Sequence, residues 1–183
     1  MLAKADAWQV LNDAQVLHSE QAIADAVARV ASEVQARLHD TLPLVLAVMG
    51  GGVVFAGQLL PKLRFPLEFD FIHVTRYRGG TQGGQVSWPV APHVPLAGRT
   101  VLVIDDILDE GATLAAVRER FVEEGVASFH AAVLCEKLLA KRKPIRADFV
   151  GVTVPDRYVF GCGMDVDGAW RNLPAIYAVG GAC

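Results

Sequence analysis

The sequence predicts an α/β protein: a mainly parallel sheet flanked by helices, with a small hood built from the terminal segments. Three observations carry this. Apolar runs of strand length, lacking the polar alternation of a half-exposed strand, alternate along the chain with stretches of helical periodicity. One such run, Val101–Ile104, ends in two carboxylates and a Gly–Thr turn that opens a helix. The stretch Pro155–Cys183 is irregular and rich in glycine, aspartate and aromatic residues, which suits a flap packed on the sheet. The 183 residues form one domain, residues 1–183, with N-terminal residues and 155–183 contributing to the hood.

In chain order, Ile23, Val27, Val30, Val34 and Leu38 recur at helical spacing and predict an amphipathic helix over Ser19–Leu38. Leu44–Met49 is continuously apolar, as a strand covered on both faces must be. Glycines 50–52 make a turn, and Val53–Leu60 continues as a helix. Leu67–Val74 reads as a strand. Arg76–Trp88, with four glycines, reads as a long polar loop suited to a lid. Val101–Ile104 is a short strand and Thr113–Glu124 a helix with Leu114, Val117, Phe121 and Val122 on its apolar side. Phe129–Leu134 and Phe149–Val154 complete the set of strands.

Composition narrows the function classes. Hydrophobic residues make up 52% and charged residues 20%, enough to bury a core and to exclude disorder as the main character. A formal charge of −3 gives no overall electrostatic footprint for nucleic acid or anionic lipid. The three cysteines, Cys135, Cys162 and Cys183, are widely spaced without a C-x-x-C, and no H-E-x-x-H occurs. This argues against a disulfide framework or a zinc ribbon and for reduced thiols in a cytoplasmic protein. Met1–Val10 has no apolar signal core. Thr41–Pro61 carries no charge and approaches the length of a membrane span, but Pro43 and glycines 50–52 divide it into strand, turn and helix.

The chemistry concentrates in Val101–Thr113. Asp105 and Asp106 follow a buried strand, where ligands of open α/β sheets bind. Gly111 and Thr113 open a helix whose free N–H groups and positive dipole end suit a phosphate. The adjacent carboxylates suit sugar hydroxyls or magnesium. A single Asp here would read as a cap or a solvated strand end. Three in five positions, with Asp109, read as a ligand site. Other phosphate motifs fail. Gly52 and Gly57 have the spacing of a nucleoside-triphosphate loop, but Gln58 and Leu59 replace its Lys and Ser/Thr. Phe55 stands where a dinucleotide fingerprint starting at Gly50 needs its last glycine.

The Val101–Thr113 stretch resembles the phosphoribosyl-pyrophosphate signature of the type I phosphoribosyltransferases. With Met49–Gly52, Lys137, Asp148–Gly151, Pro155–Val159, Asp165 and Arg171, the chain is similar over roughly Leu44–Val179 to the hypoxanthine-guanine phosphoribosyltransferases. The resemblance implies the fold of that family, magnesium as cofactor, and phosphoribosyl pyrophosphate and a 6-oxopurine as partners. It further implies neither nucleic acid nor membrane as partner, and a homodimer or homotetramer in the cytoplasm. It assigns the ribose hydroxyls, directly or through magnesium, to Asp105 and Asp106. Asp109 becomes the general acid/base beside ring nitrogen 7 of the purine. Glu110, Gly111, Ala112 and Thr113 cradle the 5-phosphate, largely through backbone N–H groups. Gly50 and Gly51 touch pyrophosphate, and Arg171 neutralises it. Tyr158 stacks on the base, Val159 reads its edge through the backbone, Lys137 donates to the 6-oxo group, and Asp165 lies near the purine 2-position and a metal. Taken singly, Lys137, Tyr158 and Arg171 read as a surface lysine, a rim aromatic and half of a surface ion pair.

The chain departs from that family at several positions. Glu110 replaces a common threonine, and its carboxylate repels a phosphate unless it turns away. Gly50 stands where lysine is frequent, Ala112 offers no side-chain donor, and Arg76, Tyr77 and Arg78 differ from the usual serine–tyrosine pair of the lid. The rival expectations are a xanthine-preferring relative, a regulatory RNA-binding protein on the same fold, and a catalytically silent oligomer partner. The intact Asp109 argues against the last.

Overall fold

The computed structural model describes residues 3–76 and 86–180. Its elements are α1 (Lys4–Asn12), β1 (Gln15–His18), α2 (Glu20–Leu38), β2 (Leu44–Met49), α3 (Gly52–Leu59), β3 (Glu68–Arg76), β4 (Val86–Val90), β5 (Thr100–Leu108), α4 (Ala112–Glu123), β6 (Ser128–Lys137), β7 (Phe149–Val154), β8 (Val159–Phe160) and β9 (Ile176–Ala178). Six strands form one sheet in the order β4-β3-β2-β5-β6-β7, parallel throughout except for the β3–β4 pair. A second, antiparallel sheet, β1-β9-β8, is the hood.

Alternation along the central strand divides the core. Leu102 and Ile104 of β5 face a cluster with Val27, Val30 and Val34 of α2 and Phe55 and Leu59 of α3. Val101 and Val103 face the opposite cluster, with Leu114, Val117 and Phe121 of α4. Both faces are covered, which explains why β2 and the Val101–Ile104 part of β5 are apolar at every position rather than at every second one. Each fully buried Leu, Ile or Phe contributes about 1.5–3 kcal/mol. Ser19 caps α2 by accepting a hydrogen bond from the Ala22 N–H at 3.3 Å, so the predicted helix start holds.

The structure corrects several boundaries. The strand expected at Val101–Ile104 runs on through both aspartates to Leu108, because β6 continues to pair with it as far as Leu108–Glu136. The strand expected at Phe129–Leu134 likewise extends to Lys137. The tail is less irregular than expected: it contributes β8 and β9, and the N-terminal residues add β1. The polar loop expected at Arg76–Trp88 is strand at both ends, since Arg76 closes β3 and Val86–Trp88 opens β4. The rest of that expected loop, residues 77–85, lies outside the described residues. Among the described residues no helix is long and apolar enough to cross a membrane.

The chain runs outward from β2 to β3 and β4, then returns to place β5 on the other side of β2. The crevice at the carboxyl ends of β2 and β5 is therefore the point where the strand order reverses, the place where open α/β sheets bind ligands.

Candidate active site

Two connected lobes open at that crevice. The larger, about 840 Å³, is walled by Gly51 after β2, Asp105 and Asp106 on β5, and the Glu110–Thr113 turn. The smaller, about 320 Å³, lies under Tyr158, Val159 and Asp165. Asp106, Asp109 and Lys137 wall both. These sizes suit a small organic ligand in two parts.

The first wall is built by close backbone approach. A Cβ on Gly51 would fall 1.6 Å from Asp106 Oδ2, and one on Gly163 would fall 2.1 Å from the Gly51 carbonyl oxygen. Only glycine lets these segments nest against the carboxylate. Gly50 is different: a Cβ there meets nothing within 4 Å. The space next to the Cα of this position is therefore open, and the glycine presents backbone alone where the resembling family often has lysine.

The acidic pair sits next. The Asp106 N–H donates to Asp105 Oδ1 at 2.9 Å, and the Ile107 N–H donates to Asp106 Oδ1 at 2.7 Å. Burial and then the charge of Asp106 raise the Asp105 carboxyl well above its ordinary value. Burial raises Asp106 too, against the pull of the Asp105 hydrogen bond, the Ile107 N–H and the nearby Arg171 guanidinium. Two desolvated carboxylates this close form a site that favours a proton or a cation between them.

The phosphate turn follows. Gly111 adopts φ +82°, a conformation open to glycine, and leads into α4 with Ala112. Its N–H-bearing end faces the large lobe together with Thr113. Glu110 is half-exposed and its charge is paired at the surface, where Lys141 Nζ donates to its Oε1 at 2.5 Å.

At the seam of the lobes Lys137, 12% exposed, donates to Asp109 Oδ2 at 3.0 Å, while Asp109 is 48% exposed to the cleft. The longer β6 explains this placement, because Lys137 is the last residue of a strand hydrogen-bonded to β5. Tyr158 is 58% exposed at the rim of the small lobe. Asp165 receives the Gly168 N–H at 2.7 Å and faces Arg171 Nη2 at 2.5 Å. Arg171 also donates to the Gly163 carbonyl at 2.7 Å. Arg171 and Gly50 are the two expected residues that wall neither lobe; every other one does.

Among the described residues no three His, Cys, Asp or Glu side chains converge on a common ion position, so Asp105, Asp106 and Asp165 do not form a closed cage. Magnesium does not require one. It commonly takes one or two carboxylates and completes its shell with water and substrate phosphate oxygens, and the raised Asp105–Asp106 pair fits that demand.

Two lysines at this site were not anticipated. Lys141 pairs with Glu110, and Lys143 donates to the backbone carbonyls of Leu108 and Lys137. The signal available was the basic run Lys141-Arg142-Lys143 close behind the end of β6, which composition alone reads as a solvated turn.

Comparison with known proteins agrees with this geometry. Residues 13–167 match the family described as a phosphoribosyl transferase domain. The hypoxanthine-guanine phosphoribosyltransferase of Bacillus subtilis (strain 168) is 35% identical over 163 residues, 88% of this chain and 91% of its own. The hypoxanthine-guanine-xanthine phosphoribosyltransferase of Tritrichomonas foetus is 31% identical over 163 residues, covering 88% of this chain and 89% of its own. Among solved structures, a hypoxanthine phosphoribosyltransferase from Staphylococcus aureus superimposes with a TM-score of 0.86 at 27% identity, covering 92% of this chain and 93% of its own. On this match of sequence, fold and cleft, the chain belongs to the phosphoribosyltransferase family.

Proposed function

We propose that the chain transfers the 5-phosphoribosyl group of phosphoribosyl pyrophosphate to hypoxanthine or guanine, releasing pyrophosphate and forming IMP or GMP in purine salvage. The observation that carries this reading is the Lys137–Asp109 pair at the seam of a phosphate-cradling lobe and an aromatic-rimmed lobe.

The bond from the ribose anomeric carbon to pyrophosphate breaks, and its electron pair leaves with pyrophosphate. Nitrogen 9 of the purine forms the new bond with its lone pair, and nitrogen 7 gives up its proton. Asp109, half open to the cleft, is placed to take that proton. Its carboxylate also faces the positive charge that grows on the sugar. Gly51 offers backbone to the leaving pyrophosphate and the Gly111–Thr113 turn offers N–H groups to the 5-phosphate. Arg171, beside Asp106, contributes positive charge on the pyrophosphate side. Tyr158 covers the base, Val159 borders its edge, and Asp165 stands at the purine 2-position. Magnesium, held by Asp105 and Asp106 with the substrate, would neutralise charge on the departing pyrophosphate.

Lys137 gives the base specificity. An ammonium group only donates, so it matches a 6-oxo oxygen and opposes a 6-amino group. The xanthine-using relative keeps a second base in view. The test is pyrophosphate release with hypoxanthine, guanine, xanthine, adenine and uracil. Hypoxanthine and guanine turnover supports the reading, a dominant xanthine rate moves it to the xanthine-preferring branch, and turnover of none of the five overturns it. Light scattering of the purified chain checks the accompanying expectation of a homodimer or homotetramer.

A further inference from the structure

Lys143 is the most deeply held cation near the cleft, and the reaction scheme above does not use it. Its side chain is 9% exposed. An ammonium group has three N–H donors, and all three are engaged: the Leu108 carbonyl accepts at 2.8 Å, the Lys137 carbonyl at 2.7 Å and Glu136 Oε1 at 3.1 Å. Lysine is rarely buried to this degree, and its desolvation is tolerable only when every donor finds an acceptor and an anion lies close.

The choice of acceptors matters more than their number. Leu108 immediately precedes Asp109. The other carbonyl belongs to Lys137 itself. The β5–β6 ladder has its last paired rung at Leu108–Glu136, and its next residues are the two that face the base slot. One ammonium group thus spans the two strand ends where the ladder stops. It holds the backbone of the acid/base residue against the backbone of the base-reading residue. The loop that carries Lys143 also packs on the phosphate turn, because a Cβ on Gly111 would lie 3.3 Å from Ile145 Cγ2 and 3.5 Å from Lys143 Cβ.

We propose that Lys143 is a positioning residue that sets the separation of Asp109 and Lys137, and with it the width and selectivity of the base slot. This rests on the assignment of those two residues to the purine. A displacement of about 1 Å at reacting groups can cost about 100-fold in rate, so a bond that fixes two such groups through their backbones has leverage out of proportion to its strength.

The experiment compares wild type, Lys143→Met and Lys143→Arg. kcat and KM are measured for hypoxanthine and adenine at saturating phosphoribosyl pyrophosphate. Lys143→Met, which keeps the stem and loses all three donors, is expected to raise the hypoxanthine KM. It should also reduce the hypoxanthine-over-adenine ratio of kcat/KM by about 10-fold or more. Lys143→Arg keeps the charge and some donors and is expected to restore part of that ratio. A general loss of fold would lower both bases alike and leave the ratio unmoved, so an unchanged ratio in a folded Lys143→Met protein overturns the proposal. Should that variant fail to fold, Lys143→Gln is read by the same ratio and the same criterion. Hydrogen exchange gives a measure independent of turnover. Peptides covering 108–111 and 136–139 should exchange faster in the variant while α2 stays protected, and equal protection in both proteins overturns the bridge itself. A wild type that transfers no purine while its exchange shows the bridge condemns the proposed reaction rather than the positioning bond.

Discussion

Lys137 donates to Asp109 across 3.0 Å, from the end of one strand to the residue just beyond the end of its neighbour. The two are chemical opposites at one seam: an acid/base group half open to the cleft and a donor sunk behind it. A base entering the slot meets both at once. In the proposed reaction the contact therefore links the step that moves a proton to the step that chooses the base.

Asp109→Asn keeps an oxygen for Lys137 but can no longer take a proton. Turnover should fall by about 10²–10⁴-fold while affinity for phosphoribosyl pyrophosphate stays near that of the wild type. Steady-state kinetics beside calorimetric titration checks this, and near-normal turnover would remove Asp109 from the acid/base role.

Lys137→Ala removes the only donor in this pair and leaves the Asp109 carboxylate unanswered. Activity with hypoxanthine and guanine should drop, and the gap to adenine should narrow. Sites built on one specific hydrogen bond can discriminate by about 10⁴-fold, which bounds the effect from above. The measurement is the kcat/KM ratio for hypoxanthine and adenine; if it does not change, base choice lies in the backbone near Val159.

Asp105→Asn should make the protein more stable and less able to bind. Burial and the Asp106 charge raise the folded-state value of Asp105, so the folded protein holds that proton more tightly than the unfolded chain does. Stability from this group is full below the ordinary carboxyl value of 3.8 and is lost as pH rises through the folded-state value. The variant removes that loss. Its Tm should exceed wild type at neutral pH, by about 2–4 °C per kcal/mol recovered, and the difference should disappear in acid. Scanning calorimetry at several pH values tests the sign, and titration with magnesium and phosphoribosyl pyrophosphate tests the accompanying loss of affinity.

Gly51→Ala and Gly163→Ala should both be destructive, in different ways. The first drives a methyl group into the Asp106 carboxylate and should abolish tight binding of phosphoribosyl pyrophosphate. The second places a methyl group on the Gly51 carbonyl at φ +106° and should cost stability, on the order of 1–3 kcal/mol. Urea unfolding and substrate titration separate the two effects; normal values of both in either variant would show that the nested segments can part.

Cys135 and Cys162 should resist alkylation in the native protein. Burial, reinforced by the charge of Asp106, pushes the Cys135 thiol up to about 12, and burial with Glu20 pushes Cys162 up to about 11. At pH 8 neither is a thiolate. Peptide mass spectrometry after iodoacetamide treatment should find both unlabelled when native and labelled in urea. Fast native labelling of Cys135 would mean that β6 opens.

The central sheet and its phosphate turn are strongly encoded locally. Leu44–Met49 and Val101–Ile104 are unbroken apolar runs and α2 carries a helical stripe, so their neighbours need not be known. What depends on distant partners is harder to read. β1 is four half-exposed residues that become a strand only because β9, some 160 positions later, pairs with it. α1 has a weak apolar face and docks through Trp8 on Trp170. In the site, Gly51 and the Asp109 turn announce themselves by residue type. Lys143 does not, since nothing in a lysine among lysines tells that it points inward onto two carbonyls.

The docking of α1 has an optical consequence. The rings of Trp8 and Trp170 lie 5.1 Å apart at 71°, and Trp170 Nε1 donates to the Ala7 carbonyl at 2.9 Å. Two indoles at that distance and angle couple their excited states, and the coupling vanishes when either moves away. The remaining tryptophan, Trp88, sits apart on β4, with the Arg120 guanidinium 4.2 Å over its ring. An exciton contribution to the circular dichroism in the strong indole transition is therefore expected to report one event, the seating of the N-terminal helix on the hood, above a background that Trp88 supplies.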